Sequence, residues 1–73
     1  MGMREISIAQ SGHIQAVTYD DEEMLLTVEF KGGRVYQYKR VTGDVAAGLE
    51  NALSPGVFLH TFIKNSFEFE RLS

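Results

Sequence analysis

Apolar positions follow two periods in succession along the chain. From residue 5 to residue 40 they alternate with polar ones in short runs, and from residue 42 onward they recur at helical spacing. Alternation places every second side chain on one face of a strand, whereas recurrence every three or four positions marks one side of a helix. Glu5-Ile6-Ser7-Ile8 has the pattern of a short edge strand, which Ser11-Gly12 interrupts. His13 to Tyr19 is rich in β-formers, with Ile14, Ala16, Val17 and Tyr19. The acidic run Asp20-Asp21-Glu22-Glu23 then reads as a turn. Met24 to Phe30 is the clearest strand, with Met24, Leu26, Val28 and Phe30 on one face and Leu25, Thr27 and Glu29 on the other. Arg34 to Arg40 returns, with Tyr36 and Tyr38 sharing a face.

The glycine bend between these last two strands sets their register. A loop of Gly32-Gly33 alone sets Phe30 opposite Val35 and turns both tyrosines away from Leu26, Val28 and Phe30. A loop of Lys31-Gly32-Gly33 sets Val28 opposite Tyr36 and Leu26 opposite Tyr38. A slip of one residue flips every side chain, so burial selects strongly between the two. The longer loop is preferred because it gathers five apolar or aromatic side chains on one surface. It suits a type I turn followed by a left-handed residue, which Gly33 adopts cheaply.

Helical spacing then takes over. Thr42 is the expected N-cap and Asp44 favours the first turn through the helix dipole. Val45, Leu49, Ala52 and Leu53 form an apolar stripe. Gly48 weakens this helix by roughly 1 kcal/mol relative to alanine, and its missing side chain suits close packing on the sheet. Ser54-Pro55 restarts a helix, with serine as N-cap and proline in the first position. Phe58, Leu59, Phe62 and Ile63 make its apolar stripe, and Asn65 is the expected left-handed terminator. Phe67 and Phe69 alternate with Glu68 and Glu70 in a closing strand. The expected fold is α+β: an antiparallel sheet of four to five short strands, two short helices packed on one face, and a C-terminal strand.

Composition narrows the possibilities further. The chain has 73 residues, 44% hydrophobic and 23% charged, with no cysteine. That is globular composition for one domain spanning residues 1–73. Without cysteine, disulfides, thiolate metal sites and cysteine nucleophiles are excluded. No apolar run reaches the 18 or more residues of a membrane span, and no signal-like segment is present; the expected setting is cytoplasmic. So small a core makes a homo-oligomer a reasonable expectation. Seven basic and ten acidic residues leave a net charge of −3, which does not suit a protein that grips nucleic acid chiefly by neutralising phosphates. Four of the seven basic residues nevertheless fall between Lys31 and Arg40.

The order of residues resembles the KTSC domain, a small family found at the C-terminus of some lysyl-tRNA synthetases and as stand-alone bacterial and phage proteins. The resemblance runs through Ser11, Ile14, Tyr19-Asp20, Leu26, Val28, Phe30 and Gly33. It continues through Tyr36-Gln37-Tyr38, Val41, Ala52, Ser54, Gly56, Phe58 and Ile63-Lys64 to the aromatic tail, covering roughly residues 11 to 71. Thr42 stands where the family usually has proline, and Phe67 where an aromatic, often tyrosine, is usual. The resemblance implies a domain without a defined activity; its synthetase context suggests RNA.

Lys31, Arg34, Tyr36, Tyr38, Lys39 and Arg40 form the foremost candidate site, since aromatics on a sheet stack on unpaired bases while nearby cations meet phosphates. Against this, the preferred register turns both tyrosines inward as packing residues, and charges gather at hairpin ends for solubility alone. His60 and Lys64, four residues apart on the second helix, are a further candidate anion contact, with a solvated flank as the alternative. Ser54-Pro55-Gly56 is accounted for by helix capping as well as by anion binding. No catalytic residues are expected: His13 and His60 lie on separate elements without metal-ligand spacing, and no nucleophile elbow, phosphate loop or dinucleotide fingerprint occurs. No metal or other cofactor is expected. Two functions remain open, a non-enzymatic module for RNA or a nucleotide-like anion, and a protein-interaction or homo-oligomerisation module.

Overall fold

Five strands pair in chain order to make an antiparallel meander, β1 (Met3–Ile6), β2 (Ile14–Asp20), β3 (Leu25–Phe30), β4 (Val35–Tyr38) and β5 (Phe69–Arg71). Helix α1 (Gly43–Asn51) and the short helix α2 (Pro55–Phe58) separate β4 from β5, and α2 runs on into a π-helical turn, Leu59–Ile63. This computed structural model describes residues 2–9 and 11–73. The architecture is the expected α+β sheet, with two short helices on one face.

Two rungs across the sheet define the core. Ile6, Val17, Val28 and Tyr36 stand opposite one another in succession, as do Arg4, Tyr19, Leu26, Tyr38 and Phe69. Val28 opposite Tyr36 and Leu26 opposite Tyr38 are the pairings of the longer glycine loop. Phe30 N–H donates to the Arg34 carbonyl at 2.7 Å and closes that loop around Lys31, Gly32 and Gly33. The turn itself differs from expectation. Both glycines have positive φ, 103° at Gly32 and 95° at Gly33, and positive φ at the third position of Phe30–Gly33 belongs to a type II turn.

Strand β2 needs a correction to strict alternation. Its register shifts between Ile14 and Ala16, and this bulge lets Ile14 join Val17 and Tyr19 in the buried cluster although an odd number of positions separates it from them. The Tyr19 hydroxyl crosses the core to donate to the Val41 carbonyl. On the reverse face, Glu5, Thr18, Thr27, Gln37 and Glu70 form a polar row, in which Gln37 Nε2 donates to Thr27 Oγ1 at 3.2 Å.

Ala46, Leu49, Leu59 and Ile63 bring the helices onto the apolar face. Several expected roles change here. Met24 leaves the apolar row, because it takes φ of 56° in the turn and is exposed. Leu53 lies beyond α1 and is 97% exposed, while Ala46 takes its place in the core. Thr42 occupies the N-cap without a side-chain bond. Gly48 does permit close packing, but against α2: a Cβ there would stand 2.7 Å from the Phe58 ring. Phe62 is turned out to solvent. Asn65 does not end the helix in the left-handed region; the non-glycine residues with positive φ among those described are Met24 and Arg40. Phe67 packs against the core just before β5 begins.

Candidate functional site

Between the second helical segment and the β3–β4 end of the sheet lies a groove of about 390 Å³. Its construction begins at Ser11, whose Oγ accepts from the N–H groups of His13 and Ile14 at 3.1 and 3.2 Å. That turn delivers His13 to one rim and Ile14 to the buried floor. Gly56 sits against the same turn, a Cβ there being 3.6 Å from Ser11 Oγ, so the start of α2 is seated beside His13. Pro55 at the first helical position is itself buried.

The far rim comes from the π-helical turn. Lys64 N–H donates to the Leu59 carbonyl at 2.8 Å, a bond across five residues. In an α-helix, two residues five apart point about 140° away from each other; the wider turn brings Lys64 round toward Leu59. His60 and Lys64 both line the groove, with Leu59 beneath them.

Sheet side chains make the opposite wall. Phe30 meets Tyr36 edge to face with centroids 5.5 Å apart, and Tyr36 stacks on Phe69 at 5.3 Å and 28°. Tyr38 reaches Phe69 at 5.7 Å but is buried, whereas Phe69 is 52% exposed. Burial pushes the Tyr38 phenol above its ordinary pKa, and neighbouring Tyr36 adds to the shift. Arg34 adds a cation at the hairpin end, and among the described residues no carboxylate lines the groove. A chain of net charge −3 thus presents a locally cationic, aromatic hollow. Its acidic turn, shaped by Asp20 Oδ1 accepting from the N–H groups of Glu22 and Glu23, is at the opposite end of the meander.

Of the residues singled out from the sequence, the fold gathers Arg34, Tyr36, Tyr38, His60 and Lys64 in this hollow. Lys31 stays on the exposed loop. Lys39 and Arg40 turn toward the C-terminal segment, where Lys39 is 4.0 Å from Glu70 in β5 and Arg40 3.5 Å from Glu68 just before it. His13, Phe30 and Phe69 also belong to the wall, although the sequence reading gave them no binding role. Ser11, a turn former two residues ahead of His13, was the available signal for the first.

The KTSC domain profile matches residues 10–67, and the chain belongs to the KTSC domain family. A lysine–tRNA ligase of Nostoc sp. is 39% identical over 64 residues, covering 88% of this chain, and one of Nostoc punctiforme is 42% identical over 60. This chain spans only 11% of the length of those ligases. An uncharacterised protein of Stutzerimonas stutzeri, 35% identical, is matched over 75% of its own length. The crystal structure of a KTSC domain protein from Yersinia pestis superposes with a TM-score of 0.86 at 26% identity, covering 97% of this chain and 99% of that one. Among the described residues no helix is long and apolar enough to cross a membrane.

Proposed function

We propose that this domain is a non-enzymatic binding module whose groove takes RNA or a nucleotide-like anion. The observation that carries this reading is the convergence of Arg34, His60 and Lys64 on an aromatic groove that, among the described residues, no carboxylate lines. Stacking on Tyr36 and Phe69 would hold a base, and charge-assisted hydrogen bonds from the rim would hold a phosphate. Segments similar to this chain occur in lysine–tRNA ligases, which makes tRNA the first polyanion to try.

Titrating isotope-labelled protein with tRNA, short single strands and mononucleotides at low and moderate salt tests the proposal. Saturable, salt-sensitive shifts at Arg34, Tyr36, His60 and Lys64 are expected; their absence with every ligand would end it. A second reading, a protein-interaction or homo-oligomerisation module, draws on the exposed apolar side chains Leu53, Val57 and Phe62 around α2. A monomeric mass by light scattering at high concentration would count against self-association.

A further inference from the structure

Resting on the reading of the groove as a nucleotide site, we infer that its occupant is one nucleotide unit carrying a phosphate monoester, free or at a chain end, and that strand interiors are excluded. A volume of about 390 Å³ lies near the lower end of the range for small-molecule sites, roughly 300–1,000 Å³. The buried residues Ile14, Tyr38 and Leu59 close its floor. The stacked Tyr36–Phe69 pair offers one base-sized apolar wall, and Lys64 and His60 stand across from it on the helical rim.

What lies past that rim argues for a terminal phosphate. A second, shallower depression of about 430 Å³ shares Lys64 and Phe69 with the groove and is otherwise lined by Lys39, Asn65, Phe67 and Glu68. Of its two lysines, Lys64 is the one it shares with the groove and Lys39 lies 4.0 Å from Glu70, while Glu68 lies 3.5 Å from the neighbouring Arg40. A phosphodiester continuing beyond Lys64 therefore meets the Glu68 carboxylate and, as its next lining cation, a Lys39 already beside Glu70. A monoester carries a charge near −2 at neutral pH, and within a screening length of about 10 Å it feels the local cations more than the acidic chain as a whole. A long polyanion feels both.

The test compares adenosine 5′-monophosphate with two ten-nucleotide single strands, one with a 5′-phosphate and one with a 5′-hydroxyl. Amide shifts at Arg34, Tyr36, His60, Lys64 and Phe69 are followed. The monophosphate and the 5′-phosphorylated strand are each expected to move these amides, and the 5′-hydroxyl strand to bind at least about tenfold more weakly. If the mononucleotide alone binds, the source is free nucleotide; if both bind, chain ends are taken as well. A 5′-hydroxyl strand that binds as tightly as the phosphorylated one overturns this inference while leaving the nucleotide-groove reading standing. Silence of the groove amides with all three overturns both. Glu68→Gln, at an exposed position, should strengthen binding of the 5′-hydroxyl strand by roughly threefold without altering that of the mononucleotide; no change in strand binding contradicts the proposed barrier.

Discussion

Tyr36 and Tyr38 occupy the same strand, point to the same face and stand opposite successive members of one aliphatic row, yet they sit in different surroundings. Tyr38, opposite Leu26, is 1% exposed among Tyr19, Leu49 and Ile63 in the core cluster. Tyr36, opposite Val28, is only partly covered and looks into the groove beside Phe30 and Phe69. The pleat fixes the face of a side chain; what packs over that face fixes its depth. Tyr38 is buried in the cluster that holds the helical residues Leu49 and Ile63, while Tyr36 is only partly buried against it, so one ring is committed to stability and its neighbour is available to a ligand.

Truncation should separate the two most sharply. Tyr38→Ala is expected to cost about 3–5 kcal/mol in urea unfolding, the range for removing a buried aromatic ring. Tyr36→Ala should cost about 1 kcal/mol, because less of the ring leaves a packed environment. It should nevertheless weaken nucleotide binding by about tenfold through lost stacking. Equal stability losses would erase the distinction between core and groove. The cover itself is tested next: Gly48→Ala should lose about 1 kcal/mol despite the better helix former, because the new Cβ forces the Phe58 ring to move. A gain in stability would show that the contact between the helices yields freely.

The smallest effect concerns alkaline pH. Burial raises the Tyr19 pKa, Asp21 and Asp20 add to the shift and Arg4, whose guanidinium lies 5.9 Å from the ring centroid, opposes it. Tyr38 is raised by burial too. A raised phenol pKa means that the folded chain keeps protons the unfolded chain releases. Both groups therefore support folding fully below the ordinary phenol value of about 10, and that support is lost as pH rises through the folded values. Tyr19→Phe should cost about 1 kcal/mol at neutral pH through the lost bond to Val41, while flattening the alkaline decline measured by urea unfolding. An unchanged slope would place the titration elsewhere.

Much of the fold was legible because one bend controlled it. The odd loop at Lys31-Gly32-Gly33 sets the Leu26–Tyr38 and Val28–Tyr36 pairings, and the change of period at Thr42 announced the helices. Less legible were features in which local pattern yields to tertiary geometry. The β2 bulge moves Ile14 into the core against the alternation, and α1 ends before Leu53 can join its stripe. The candidate hollow was half visible: Arg34, Tyr36, Tyr38, His60 and Lys64 were singled out, but from two separate stretches with no means of joining them. Only the return of α2 across the sheet brings them together. Lys39 and Arg40 drew attention as neighbours of the tyrosines, whereas their ion partners Glu68 and Glu70 are remote in sequence and were read only as the polar half of a strand.

Binding at the groove and binding at the hairpin edge differ in which cations meet the phosphate. One affinity measurement with adenosine 5′-monophosphate at moderate salt compares Lys64→Gln with the double variant Lys39→Gln/Arg40→Gln, all at exposed positions. Lys64→Gln should weaken binding by about tenfold and the double variant by less than about twofold, since a phosphate-directed cation contributes far more than pairs already matched at the surface. A double variant that abolishes binding while Lys64→Gln leaves it intact would contradict the groove and return the site to the hairpin edge.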